Sequence, residues 1–136
     1  MRWTKARKLR FLKAAPVIRV ATADRQGRPH VTPVCHVEFK GRIYWASNPD
    51  SAKIANISHR RTVALVADTY KASWQKMGGV MAQGQARIIR EGPLFRRIRS
   101  LLYRKFRIYK SNAPLEERDS VIIEVTPSHI VHWWYD

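Results

Sequence analysis

One cysteine, Cys35, stands in 136 residues, and a lone thiol can neither close an internal disulfide nor, with five scattered histidines, build a zinc site. Its plain reading is a small apolar filler in a strand. Long apolar runs are missing too. The longest, Val63–Ala67 and Val121–Ile123, fall far short of the ~20 residues that a spanning helix requires, so no membrane segment is expected. The N-terminus is basic but has no apolar stretch leading to a small-residue cleavage site, and a cytoplasmic location is the expectation. Acid is scarce: 10 Asp plus Glu face 26 Lys plus Arg, for a net charge of +16. That imbalance points to nucleic acid, membrane headgroups or an anionic small molecule, against the plainer reading of a solvated basic surface. No Ser or Cys stands with a His and an acid in a pattern that reads as a catalytic triad.

What is present fits one domain over residues 1–136, with 45% apolar residues to build a modest core. Trp3 to Ala14 carries apolar residues at near-helical spacing among Arg and Lys, and Pro16 stops it. Val17–Thr22 reads as a strand, Asp24–Gly27 as a turn, Pro29–Phe39 as the returning strand and Ile43–Ser47 as a third. A short helix follows to about His59, then a strand at Thr62–Thr69 and another at Val80–Ile89. Gly84, in the middle of the latter, signals a bulge or a close backbone approach. Pro93 opens an amphipathic helix with Leu94, Phe95, Ile98, Leu101, Leu102, Phe106 and Tyr109 on one side and arginines on the other. A polar loop over Ser111–Arg118 leads to a closing hairpin, Val121–Thr126 and Ile130–Tyr135, turned at Pro127-Ser128. Six or seven mostly antiparallel strands with helices at the N-terminus, after the third strand and before the last hairpin describe a mainly β fold, a small barrel.

The most informative stretch is Asn48-Pro49-Asp50-Ser51-Ala52-Lys53. Three capping residue types lie within four positions, and the helix that follows offers in its first turn a hydroxyl from Ser51, free backbone N–H groups and the Lys53 ammonium. A cation in a helix first turn is disfavoured by the dipole unless an anion sits nearby, so a phosphate monoester is the natural ligand. Plainer readings stand beside it: Ser51 as no more than an N-cap, Lys53 as an exposed lysine.

Phe11-Leu12 with Ala14-Ala15-Pro16-Val17, then Asp24 with Gly27-Arg28-Pro29-His30 and Pro33-Val34, then Tyr44-Trp45-Ala46-Ser47 with Ser51, Lys53 and Asn56-Ile57, then Gly84-Gln85-Ala86-Arg87 occur in that order across nearly the whole chain. In that order and spacing the sequence resembles the pyridoxamine 5′-phosphate oxidase-like split-barrel family of FMN-binding proteins. The resemblance implies a homodimer with its cofactor, FMN or the deazaflavin F420, at the two-fold interface. It puts the phosphate on Ser51 and Lys53, with Ala52 where the oxidases proper often have Arg. It sets ring edge and ribityl chain along Thr32, Pro33, Val34 and Cys35, with Trp45 and Ala46 lining the third strand. Trp133 resembles the aromatic that closes over the flavin from the partner subunit. The oxidases proper continue past the equivalent of Trp133 with an Arg and His segment, and this sequence stops three residues later, so vitamin B6 oxidation is not expected. The sequence resembles the short members of the family, which include deazaflavin-dependent oxidoreductases alongside FMN-binding relatives, and the polyglutamate tail of F420 would be drawn to the basic N-terminal helix and neighbouring arginines.

On this reading the chain needs no acid, base or nucleophile of its own, because the cofactor ring carries the hydride. The expected reaction is hydride transfer to an unsaturated small-molecule acceptor, with Tyr70, Trp74, Met77 and Trp133 as candidate walls of the cleft. Two rivals are carried forward. One is a module that holds flavin or haem without turnover, with His30 or His36, which share a strand face by parity, as an iron ligand. The other is a nucleic-acid binder that uses the arginine-rich helix; it ranks last because that helix's apolar stripe is committed to packing.

Overall fold

The computed structural model describes residues 2–136. Helix α1 (Lys5–Ala14) starts at Thr4, whose hydroxyl accepts from the Arg7 amide. Strands β1 (Ile18–Ala23), β2 (Pro29–Val34), β3 (His36–Phe39) and β4 (Arg42–Ser47) lead to helix α2 (Ala52–His59). Strands β5 (Thr62–Thr69) and β6 (Met77–Ile89) precede helices α3 (Pro93–Lys105) and α4 (Ile108–Asn112), and β7 (Val121–Tyr135) ends the chain. All seven strands join in one antiparallel sheet of order β2-β1-β5-β6-β7-β4-β3.

That order corrects the reading of Pro29–Phe39 as a single strand between the first and third strands. The segment breaks at Cys35: β2 pairs with β1 on one edge of the sheet and β3 with β4 on the other. Because one residue joins the two edges, the sheet must curl back on itself into a split barrel. Inside lies the larger core, with Ile18, Val20, Trp45, Ile57, Leu65 and Ile123 among its buried members. A second cluster sits on the outer face of β3, β4 and β7, where Phe95, Ile98 and Leu102 of α3 are fully buried against Tyr44 and Ile122. The apolar stripe of α3 is therefore spent on packing.

Two further expectations are corrected. Residues 121–135 form one strand, not a hairpin, and pair with β6 along its whole length. The Pro127-Ser128 step is a bulge: Gln83 faces His129 and Gly84 faces Pro127, which leaves Ser128 as the extra residue. A proline has no amide to give a ladder, so a bulge is where a long strand tolerates it. Gly84 plays both parts read for it, since a Cβ there would collide with the Thr126 carbonyl. The amphipathic helix, expected to run through Tyr109, ends at Lys105 and resumes as the short α4, whose last two residues, Ser111 and Asn112, fall in the expected polar loop.

The outer cluster holds one polar network. Tyr44 donates to Glu124 at 2.8 Å, and Arg87 meets the same carboxylate at 3.1 and 3.2 Å. Burial pushes Glu124 upward, yet the Arg87 and Tyr44 hydrogen bonds outweigh it and hold the carboxyl below its usual range. Burial and the adjacent carboxylate push the Tyr44 phenol up to about 12. This ties β4, β6 and β7 together beside the strand end that leads into α2.

Candidate functional site

The loop between β4 and α2 is organised by its own side chains. Asn48 Oδ1 accepts from the Asp50 amide at 2.9 Å, and the Ser51 amide donates back to the Asn48 carbonyl. Ser51 occupies the N-cap of α2 but makes no capping bond; its hydroxyl instead lies 2.9 Å from the Ser47 hydroxyl. The first intrahelical bond is from Ala55 to the Ser51 carbonyl, so the amides of Ala52, Lys53 and Ile54 are left open at the helix start. No acid stands in that first turn, and Lys53, half-buried, makes no hydrogen bond or ion pair to any described residue. Free amides, a hydroxyl pair and an unpaired ammonium are the elements of an anion cradle.

A cavity of about 320 Å³ opens beside this loop, lined by Ala46, Ser47 and Asn48 on one wall and by Tyr109, Pro114 and Leu115 on the other. Cys35, half-buried at the junction of β2 and β3, is within hydrogen-bonding reach of the Tyr109 hydroxyl. Burial, then the thiol, push the Tyr109 phenol up to about 12, so it stays a hydrogen-bond donor at neutral pH. Of the expected site residues Ala46 lines this cavity, Ser51 adjoins it through Ser47, and Cys35 through Tyr109, with Lys53 two residues beyond Ser51 on α2. Ser47, Asn48 and Tyr109 were not singled out as site residues. Tyr109 was read as part of an apolar helix face, and only the break at Phe106 frees it to roof the cavity.

The other candidates are placed differently. By strand alternation His30, Thr32, Val34 and His36 face the barrel interior, while Val31 and Pro33 face outward and are exposed. Thr32 Oγ1 and His30 Nδ1 are buried there without a hydrogen-bond partner. Trp45 is fully buried in the main core and exposes no ring edge, so its side chain supports the notch from behind. His36 Nε2 donates to the Leu12 carbonyl at 2.6 Å and its Nδ1 has no partner, but the ring is fully buried, and it is this burial that sets it against a role as iron ligand. Among the described residues no group of three metal-ligating side chains converges, and no helix is long and apolar enough to cross a membrane.

Trp133 lies far from the notch in its own chain. Val121, at the start of β7, pairs with Ser47, whereas Trp133 pairs with Gly79 twelve residues further along the strand, at about 3.3 Å per residue. There its indole donates to the Tyr70 hydroxyl at 2.7 Å, and Trp74 packs edge-on against Tyr135 nearby. Three of the four expected cleft walls, Tyr70, Trp74 and Trp133, therefore share one exposed corner, while Met77 is fully buried and lines nothing. The corner depends on Gly79, where a Cβ would stand 2.6 Å from the Ala67 carbonyl and 2.7 Å from the Trp133 ring. Gly79→Ala is expected to cost about 1–3 kcal/mol and to displace Trp133. A lowered melting temperature with red-shifted tryptophan emission would show it; an unchanged spectrum would contradict it.

A family model described as pyridoxamine 5′-phosphate oxidase matches residues 5–134. Among solved structures with the same fold is an FAD-binding protein from Mesorhizobium loti, 16% identical, with a TM-score of 0.80 over 98% of this chain and 96% of that one. An F420 reductase is 18% identical, with a TM-score of 0.72 over 90% and 94% of the two chains. The haem storage protein of Vibrio cholerae is 15% identical, with a TM-score of 0.76 over 93% and 90%. At these identities the likeness is one of fold. No curated protein matches the sequence.

Proposed function

We infer that this chain, which belongs to the pyridoxamine 5′-phosphate oxidase family, binds FMN or F420 in a cleft completed by a second copy of itself, and serves as an oxidoreductase. The observation that carries the reading is the start of α2: an uncapped N-terminus with open amides, the Ser47–Ser51 hydroxyl pair and an unpaired Lys53, next to a cavity of about 320 Å³. Ser51, Lys53 and the α2 amides would hold the phosphate. The backbone of Pro33–Cys35 with Ala46 would flank the ring system, and Tyr109 would offer its hydroxyl proton to a ring or acceptor oxygen. When bound, the cofactor supplies hydride transfer to an unsaturated small-molecule acceptor, which explains why no triad is needed.

Distance supports the dimer. Trp133 cannot reach the notch of its own chain, so it serves as a cleft wall only across an interface. The outward face of β2, β1, β5 and β6 is suited to that, because register places Val31, Ala21, Ala64 and Gln83 in one row and Pro33, Arg19, Val66 and Met81 in the next, a mainly apolar patch crossed by one arginine, with Val31 65% exposed. A two-fold pairing on this face brings one chain's Trp133 toward the other's Pro33 and Cys35.

The test is titration of the purified protein with FMN and with F420 by quenching of ligand fluorescence. Saturable binding of at least one, at one site per chain, is expected. Tight binding of neither would overturn the reading.

A further inference from the structure

A larger groove lies outside the notch, between β3 and α3, with a volume of about 550 Å³. Its floor is apolar: Val37 is buried, and Phe39 and Leu101 are half-buried. Its rim carries five cations, Lys13, Lys40, Arg97, Arg104 and Lys105, against one acid, Glu38. Glu38 is already engaged, accepting from the Gly41 amide at 2.8 Å in the turn between β3 and β4. The four ion pairs found among the described residues use Arg28, Arg87, Arg96 and Arg118, none of which lines the groove.

Three of the five cations are held in place. Lys105 Nζ donates to the Lys13 and Ala15 carbonyls at 3.2 and 2.8 Å, at the end of α1. Burial lowers its pKa, opposed by the nearby Cys35. Arg97 and Lys40 both rest on the Phe39 ring, 5.5 and 5.3 Å from its centroid. On α3, Leu101 stands four residues from Arg97, three from Arg104 and four from Lys105, so these side chains form a single stripe beside the buried Phe95–Ile98–Leu102 stripe. This is a concave wall, and its shape separates it from a solvated helix face.

We propose that this groove is a second binding site, for a small amphipathic anion whose apolar body lies on Phe39, Leu101 and Val37 and whose phosphate or carboxylate head is held by Arg97, Arg104, Lys105 and Lys13. A membrane surface would meet a protruding basic face, and a nucleic acid would need a longer track than one short groove; a single small ligand fits both the concavity and the unmatched charge.

The test uses the apolar sulfonate dye 1-anilinonaphthalene-8-sulfonate, with neutral N-phenyl-1-naphthylamine as the uncharged control. The sulfonate is expected to bind at one saturable site per chain, and the neutral dye more weakly. Arg97→Ala/Arg104→Ala, both exposed on α3, is expected to weaken the sulfonate about tenfold or more with unchanged melting temperature. Displacement by dodecyl phosphate assigns the head as phosphate and displacement by laurate assigns it as carboxylate. Failure of both to displace the dye, or equal binding by the double variant, would overturn the proposal. Lys53→Ala run in parallel separates this site from the cofactor notch: it should leave dye affinity unchanged, and stoichiometric displacement of the dye by FMN would show that the groove is not a second site.

Discussion

Lowering the pH from 7 to about 4.5 is expected to remove about 2 kcal/mol of stability through one imidazole. His36 is fully buried, its Nε2 donates to the Leu12 carbonyl, and burial lowers its pKa from 6.5 to about 4, with that hydrogen bond opposing and Lys105 adding to the effect. Between pH 6.5 and about 4 the unfolded chain binds a proton at this site and the folded chain does not, so stability falls as pH falls through that window. The whole difference corresponds to about 3 kcal/mol and is complete only below pH 4. His36→Gln keeps an N–H for Leu12 without a titrating ring. Its urea midpoint should therefore change less between pH 7 and 4.5 than that of the wild type, and parallel pH profiles would show that another group governs the loss.

Lys53→Ala is expected to weaken FMN or F420 binding about 10- to 100-fold, the loss of one charge-assisted hydrogen bond of about 1.5–3 kcal/mol. Its melting temperature without ligand should hold or rise slightly, because a cation is removed from the positive end of α2 and no hydrogen bond or ion pair to a described residue is lost. Ser51→Ala should have a smaller effect on affinity, since Ser47 and the helix amides remain. Unaltered affinity in Lys53→Ala would place the phosphate elsewhere.

The local chemistry of the notch was legible in the sequence because caps and helix first turns are short-range. Asn48, Asp50 and Ser51 announce a helix start wherever they fold, and Ser51 is the N-cap. The break at Cys35 was not legible, and the reason is physical. Alternation continues unbroken through His30, Thr32, Val34 and His36, all on the interior side, so the side-chain period carries no mark of the change in pairing partner from β1 to β4. Only the long-range closure of the sheet decides it. Pro127-Ser128 misled for the opposite reason: a strong local turn signal yields to a partner strand that pairs on both sides of it. The basic groove was hidden similarly, since Arg97 and Arg104 look like a solvated helix face until β3 is laid alongside α3. Trp133 was recognised by resemblance, and the fold adds that twelve residues of β7 separate it from the notch of its own chain.

The central claim, a cofactor notch shared between two copies of the chain, is tested most directly by subunit complementation. Lys53→Ala and Trp133→Ala chains, each impaired as homodimers, are unfolded together and refolded to form mixed dimers. The account predicts that mixing restores tight FMN or F420 binding, at one intact site per mixed dimer, because Lys53 of one chain then meets Trp133 of the other. Recovery of no binding above that of the two parent variants would contradict it.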